Sequence, residues 1–130
     1  MKAHRDFYKL IEEICGRDAR YKPDAYEFVM QALHSTQARL KRRGHLQGGE
    51  LLEGIRSLII DQYGPMAGTV LRHWGVSSTL DFGHIVFNMV ENRILSRTEE
   101  DSLEDFRDVY TFEDAFGHVL RDMPLDLTDA

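Results

Sequence analysis

Apolar side chains recur at intervals of three and four residues from Phe7 to Val90, in stretches separated by glycine and proline. That period places them on one face of a helix, and it restricts most of the chain to stacked amphipathic helices. Phe7, Leu10, Ile11 and Ile14 predict a first helix over about 4–15, with Gly16 placed to stop it. Pro23 predicts the opening of a second helix, with Asp24 and Glu27 near the positive end of its dipole. Tyr26, Val29, Met30, Leu33 and Leu40 form its stripe, and Gly44 lies beyond its end. Leu51, Leu52, Ile55, Leu58, Ile59 and Tyr63 predict a third helix, which Gly64-Pro65 ends. Met66, Val70, Leu71 and Trp74 line a fourth, closed by Gly75. A fifth, capped by Ser78 or Thr79, buries Phe82, Ile85, Val86, Met89 and Val90. Gly83 sits inside it at a cost of about 1 kcal/mol relative to alanine, so a close approach by the fourth helix is expected there.

After residue 93 the pattern changes, and two readings compete. Val109-Tyr110-Thr111-Phe112 has strand-like residues, and Glu99-Glu100-Asp101-Ser102 reads as a turn, which together outline a β-hairpin with an acidic tip. The other reading is a pair of short helices capped by Ser102 and Thr111, with Thr111 and Asp114 imitating a capping box. The hairpin, followed by a final helix at about 112–121, is preferred. The expected fold is therefore mainly α: one domain over 1–130, of five to six helices, with an acidic segment over 96–130. The helices at 65–75 and 79–92, the turn Gly75–Ser78 and the hairpin would make a winged-helix-like second half.

At 130 residues the chain is long enough for one sizeable core. No apolar run approaches the roughly 20 residues that span a bilayer. The N-terminal residues Met1–Asp6 lack the apolar stretch of a signal peptide, and Cys15, the one cysteine, has no internal disulfide partner. A cytoplasmic location is the expectation. The net charge of −6 is unevenly spread. Residues 1–60 carry 11 basic and 8 acidic side chains, whereas 61–130 carry 5 and 14. An acidic C-terminal half repels nucleic acid, so contact with it would need a local basic face.

The motifs that carry chemistry are mostly missing. No two of the six histidines are three to five residues apart, the spacing of structural zinc ligands, so neither a metal nor a cofactor is expected. Thr98–Asp105 supplies oxygens without the glycine and spacing of a calcium loop, and a solvated acidic loop is the better reading. Cys15, Ser35, Ser57, Ser77 and Ser78 lie outside any nucleophile elbow. Gly48-Gly49 precedes a helix without the lysine of a phosphate loop. His73, Asp81 and His84 are the one set from which an acid/base site could be assembled.

The basic cluster Arg39, Lys41, Arg42, Arg43 and His45 is the best candidate for partner binding, although a helix C-terminus favours cations whatever their role. A protein-interaction or regulatory module, not an enzyme, is the expected function. Its partner would be a protein, or the acidic tail of a second copy. The alternatives are a nucleic-acid-associated protein using 39–45, and an enzyme with a site near His73, Asp81 and His84. No membrane contact is expected.

One longer run supports a family resemblance. It comprises Glu50–Arg56, Tyr63-Gly64-Pro65-Met66-Ala67, Trp74-Gly75, Asp81-Phe82-Gly83, Ile85–Asn88 and Asp105-Phe106, with Tyr110 and Phe112 beyond. Over about residues 7–116 the chain resembles a family of uncharacterised small bacterial proteins associated with planctomycete and verrucomicrobial lineages. The resemblance implies a cytosolic bacterial protein treated as one unit. It assigns no residue a catalytic role.

Overall fold

The computed structural model describes residues 2–41 and 44–121, and side chains within 7–41 and 44–117. It is mainly helical, with α1 (Lys2–Arg17), α2 (Pro23–Leu40), α3 (Gly48–Tyr63), α4 (Ala67–His73), α5 (Thr79–Glu91) and α6 (Phe112–Arg121). Single 3-10 turns at Gly64–Met66 and Leu103–Phe106 complete it. One hydrophobic core runs from Ile11 to Phe116, with Tyr26, Leu52, Ile55, Ile59, Leu71, Phe82, Ile85 and Met89 fully enclosed. Among the described residues, no helix is long and apolar enough to cross a membrane.

The helix ends follow the local chemistry with a few shifts. Pro23 stands at the first position of α2, where its missing N–H costs least. α2 stops where Lys41 turns into the left-handed region at φ 56°, and its N–H bonds back to the last turn. Glu50 reaches back to the Gln47 N–H at 2.9 Å and starts α3. Gly16 does not end α1, which continues to Arg17, since glycine permits a cap without enforcing one. Met66 and Tyr63, placed in apolar stripes by their spacing, are exposed at the junction of α3 and α4. The 3-10 turn changes the angular step per residue, so the helical count fails at Met66. Tyr63, the last residue of α3, is partly exposed yet still packs edge-on against Trp74.

α2 lies across α3, and both contact α5. Thr36 and Gly54 meet at the first crossing, where a Cβ on Gly54 would overlap the Thr36 hydroxyl. Gly83 does a similar job on α5, but its neighbour is not α4. A Cβ there would lie 2.8 Å from Phe106 Cβ and 2.9 Å from Leu103 Cδ1. The missing side chain seats the Leu103–Phe106 turn on the helix backbone.

That seat is incompatible with the expected hairpin, and no strand occurs among the described residues. A winged-helix-like second half goes with it, since the wing is absent. Two caps decide the local structure instead. Ser102 Oγ accepts the Glu104 N–H, and Asp105 reaches back to the Ser102 N–H at 3.1 Å. Thr111 Oγ1 accepts the Asp114 N–H at 3.1 Å and opens α6. The competing reading, two short helical pieces capped by Ser102 and Thr111, is the one that holds. Long-range bonds fix the connection between them. The buried Thr79 hydroxyl donates to the Phe106 carbonyl at 2.6 Å and accepts the Val109 N–H, while Tyr110 Oη donates to the Leu52 carbonyl. With its polar backbone satisfied by these groups, the segment needs no partner strand.

Gly83→Ala should therefore destabilise the fold by about 1–3 kcal/mol, because overpacking against Phe106 outweighs the gain in helix propensity. Gly68→Ala, in α4 with open space around its Cα, should be neutral or stabilising. Urea unfolding of the two variants checks the contrast.

Candidate functional site

Three features of the fold meet beyond the C-terminal end of α2. Leu33 and Gln37, one turn apart on α2, form one wall of a crevice of about 260 Å³. Val86, Phe87 and Val90 of α5 form the opposite wall. Leu46 and Leu51, together with Leu95 and Phe106, supply apolar surface from the flanking segments. Gln37 Nε2 donates to the Gly44 carbonyl at 2.8 Å and holds the connection after α2 against the rim.

The rim is polar. His45 Nε2 lies 2.9 Å from Asp101 Oδ1, and Asp101 Oδ2 accepts the Thr98 N–H at 2.8 Å. Burial pushes the Asp101 carboxyl up, but the Thr98 N–H and His45 outweigh it and hold the group below its ordinary value. Arg97 stacks its guanidinium over Phe87, 5.6 Å from the ring centre, and extends the crevice outward. His45, Gly48, Asp101 and Asp105 are shared with a more open trough of about 780 Å³, which Gln47, Gly49, Thr98, Glu99 and Glu100 complete.

The basic cluster expected to bind a partner is divided by this geometry. Of its described members, Arg39, Lys41 and His45, only His45 lines the crevice. Lys41 is exposed at the α2 cap. Arg39 is also exposed, but two positions from Gln37 place it about 200° round the helix, away from the crevice wall. Arg42 and Arg43 lie outside the described residues. The apolar walls were hidden from sequence reasoning because they come from four separated segments. Leu33, Leu51, Val86 and Val90 were placed in helical stripes, while Leu46 and Leu95, large apolar residues outside those stripes, were a signal left unused.

No hydrogen bond links His73, Asp81 and His84 to one another. Asp81 accepts hydrogen bonds from Tyr21 Oη at 2.5 Å, from Ser77 N–H and Oγ, and from the Ser78 N–H. These tie the start of α5 to the α1–α2 connection, and no hydrogen bond joins either histidine to the carboxylate. His73 is exposed on α4. Among the described residues, no group of three His, Cys, Asp or Glu is arranged to hold a metal ion. Cys15 is a half-buried free thiol that donates to the Tyr21 carbonyl, and burial pushes its pKa up.

A third cavity, about 410 Å³, opens between α1 and α5 beside Arg17, Asp18, Asn88 and Asn92. Asp18 is held well below the usual carboxylate range by the Arg20 guanidinium, and Asn88 bridges it to Tyr26 Oη. Its polar groups bond one another across the α1–α5 junction, so the cavity reads as a structural contact.

Compared with known proteins, the chain matches no family model, no curated protein and no solved structure.

Asp81 makes the structural role testable by pH. Burial raises its carboxyl, but the Tyr21, Ser77 and Ser78 donors outweigh that and leave its folded pKa lowered. Its stabilising contribution is present above the unfolded value of about 3.9 and is lost as pH falls through the folded value below it. Asp81→Asn should cost stability at pH 7 and flatten the acid limb of a urea-midpoint profile. A profile parallel to that of the wild type would show that the carboxylate is not coupled to folding.

Proposed function

We propose that the chain is a non-enzymatic, cytosolic interaction module, which takes one apolar side chain of a partner protein into the crevice between α2 and α5. The observation that supports this is the pairing of apolar walls with a polar rim whose groups already satisfy one another. An apolar cavity of about 150 Å³ suffices for a benzene-sized group, so a crevice of about 260 Å³ has room for a leucine or an aromatic side chain. Anchors seated in pockets of this kind carry a large share of interface energy. The resemblance to a family of small bacterial proteins is compatible with the proposal, because it assigns no residue a catalytic role.

The nucleic-acid reading rests on Arg39 and Lys41, both exposed near the end of α2. The neighbouring trough opposes it, since Glu99, Glu100, Asp101 and Asp105 would face the phosphates. The enzyme reading loses its central residue to the Asp81 hydrogen bonds described above.

A randomised peptide library selected against the folded protein tests the proposal. Enriched peptides should share one large apolar residue and should protect amides of residues 94–106 from hydrogen exchange. They should bind Leu95→Arg at least about tenfold more weakly, as expected for blocking an anchor pocket. Absence of enrichment, or binders indifferent to Leu95→Arg, would overturn the reading. A salt-sensitive shift with duplex DNA that disappears in Arg39→Ala/Lys41→Ala would replace it with the nucleic-acid alternative.

A further inference from the structure

The trough that opens from the crevice says what should flank the anchor. Among the described residues its carboxylates are Glu99, Glu100, Asp101 and Asp105, while the basic side chains at the crevice and trough are His45 and Arg97. The N-terminus of α3 also faces the trough through Gly48 and Gly49. A helix N-terminus carries roughly half a positive charge, and in α3 the Glu50 carboxylate already answers it at the Gln47 N–H. Four carboxylates outweigh that partial charge, so the trough attracts cations. Two of the four also have structural duties, with Asp101 capping Thr98 and Asp105 capping Ser102. Glu99 and Glu100 are exposed beside them.

We infer that the partner segment is basic: one apolar side chain enters the crevice, and arginine or lysine residues next to it lie along the acidic trough. This rests on the interaction reading above and adds the charge of the partner. It also reverses the sign expected from the cluster at 39–45, which would have selected an acidic partner. The chain itself carries the matching chemistry at Arg39-Leu40-Lys41. Leu40, however, is half-buried in its own fold at the end of the helix that walls the crevice. A second copy therefore cannot offer that side chain without unravelling α2, and the occupant is a segment of another protein.

Three short capped peptides provide the probes: one leucine between pairs of arginines, the same with glutamine for arginine, and the same with glutamate. Their affinities for the full chain are measured by fluorescence anisotropy at about 50 and 500 mM salt, which span strong and weak screening. The arginine peptide should bind most tightly at low salt, and the glutamate peptide should not bind. Glu99→Gln/Glu100→Gln, which leaves the caps intact, should weaken the arginine peptide about tenfold without affecting the glutamine peptide. Equal binding of the arginine and glutamine peptides, unchanged in that double variant, would overturn the charge inference while leaving the apolar anchor standing. Failure of both peptides to bind, with Leu95→Arg indistinguishable from wild type, would overturn the anchor as well. Sedimentation showing a dimer that the arginine peptide dissociates would overturn the assignment to a foreign segment.

Discussion

At Gly83 the absent Cβ lets Phe106 and Leu103 rest directly on the backbone of α5. Much of the second half of the structure follows from this approach. Ordering a residue costs roughly 1–2 kcal/mol of backbone entropy, and burying one phenylalanine returns about 1.5–3 kcal/mol. One seat therefore cannot hold the connection between α5 and α6. Thr79 fastens it at Phe106 and Val109, and Tyr110 fastens it at Leu52. All three bonds lie at or just beyond the seated 103–106 turn. The crevice depends on the same contact, because Phe106 lines it and Asp101 and Asp105 are carried on the segment that the seat holds in place.

The helices were legible because each buries one face, and burial of one face leaves a period in the sequence. The stripe through Phe82, Ile85 and Met89 is written by the same core that encloses them. Where a 3-10 turn interrupts the count, as at Met66, the period misleads. Whereas the final helix at 112–121 holds, the hairpin expected between residues 94 and 112 failed for another reason. Its β-branched and aromatic residues suggest a strand, but that propensity describes a half-buried surface and not a partner. Thr79 and Tyr110 satisfy the backbone from distant positions, and no local pattern announces such long-range bonds. The Ser102 and Thr111 caps were the reliable signal, since a cap is decided within a few residues.

The candidate site was legible only at its edge. The basic residues at 39–45 were conspicuous as a cluster in sequence. Arg39, however, belongs to the last turn of α2 and does not line the crevice, whereas His45, in the connection beyond, does. The acidic loop read as solvated, which holds for Glu99 and Glu100 but not for Asp101, whose carboxylate is engaged by His45 and the Thr98 N–H. Polar groups far apart along the chain, His45 and Asp101, thus bond each other within the fold.

That internal pairing has a consequence for recognition. A rim whose His45 and Asp101 were unpaired would incur a desolvation cost whenever a partner covered it. Because the two already bond each other at 2.9 Å, closing an apolar side chain over the crevice buries a satisfied pair. The apolar walls are then free to supply affinity, and the exposed carboxylates, Glu99 and Glu100, are free to supply selectivity at the margin. Rim charges of this kind act chiefly on encounter and on the exclusion of wrong partners. On the proposed reading, the apolar hole takes the anchor and the acidic trough chooses among segments that share it.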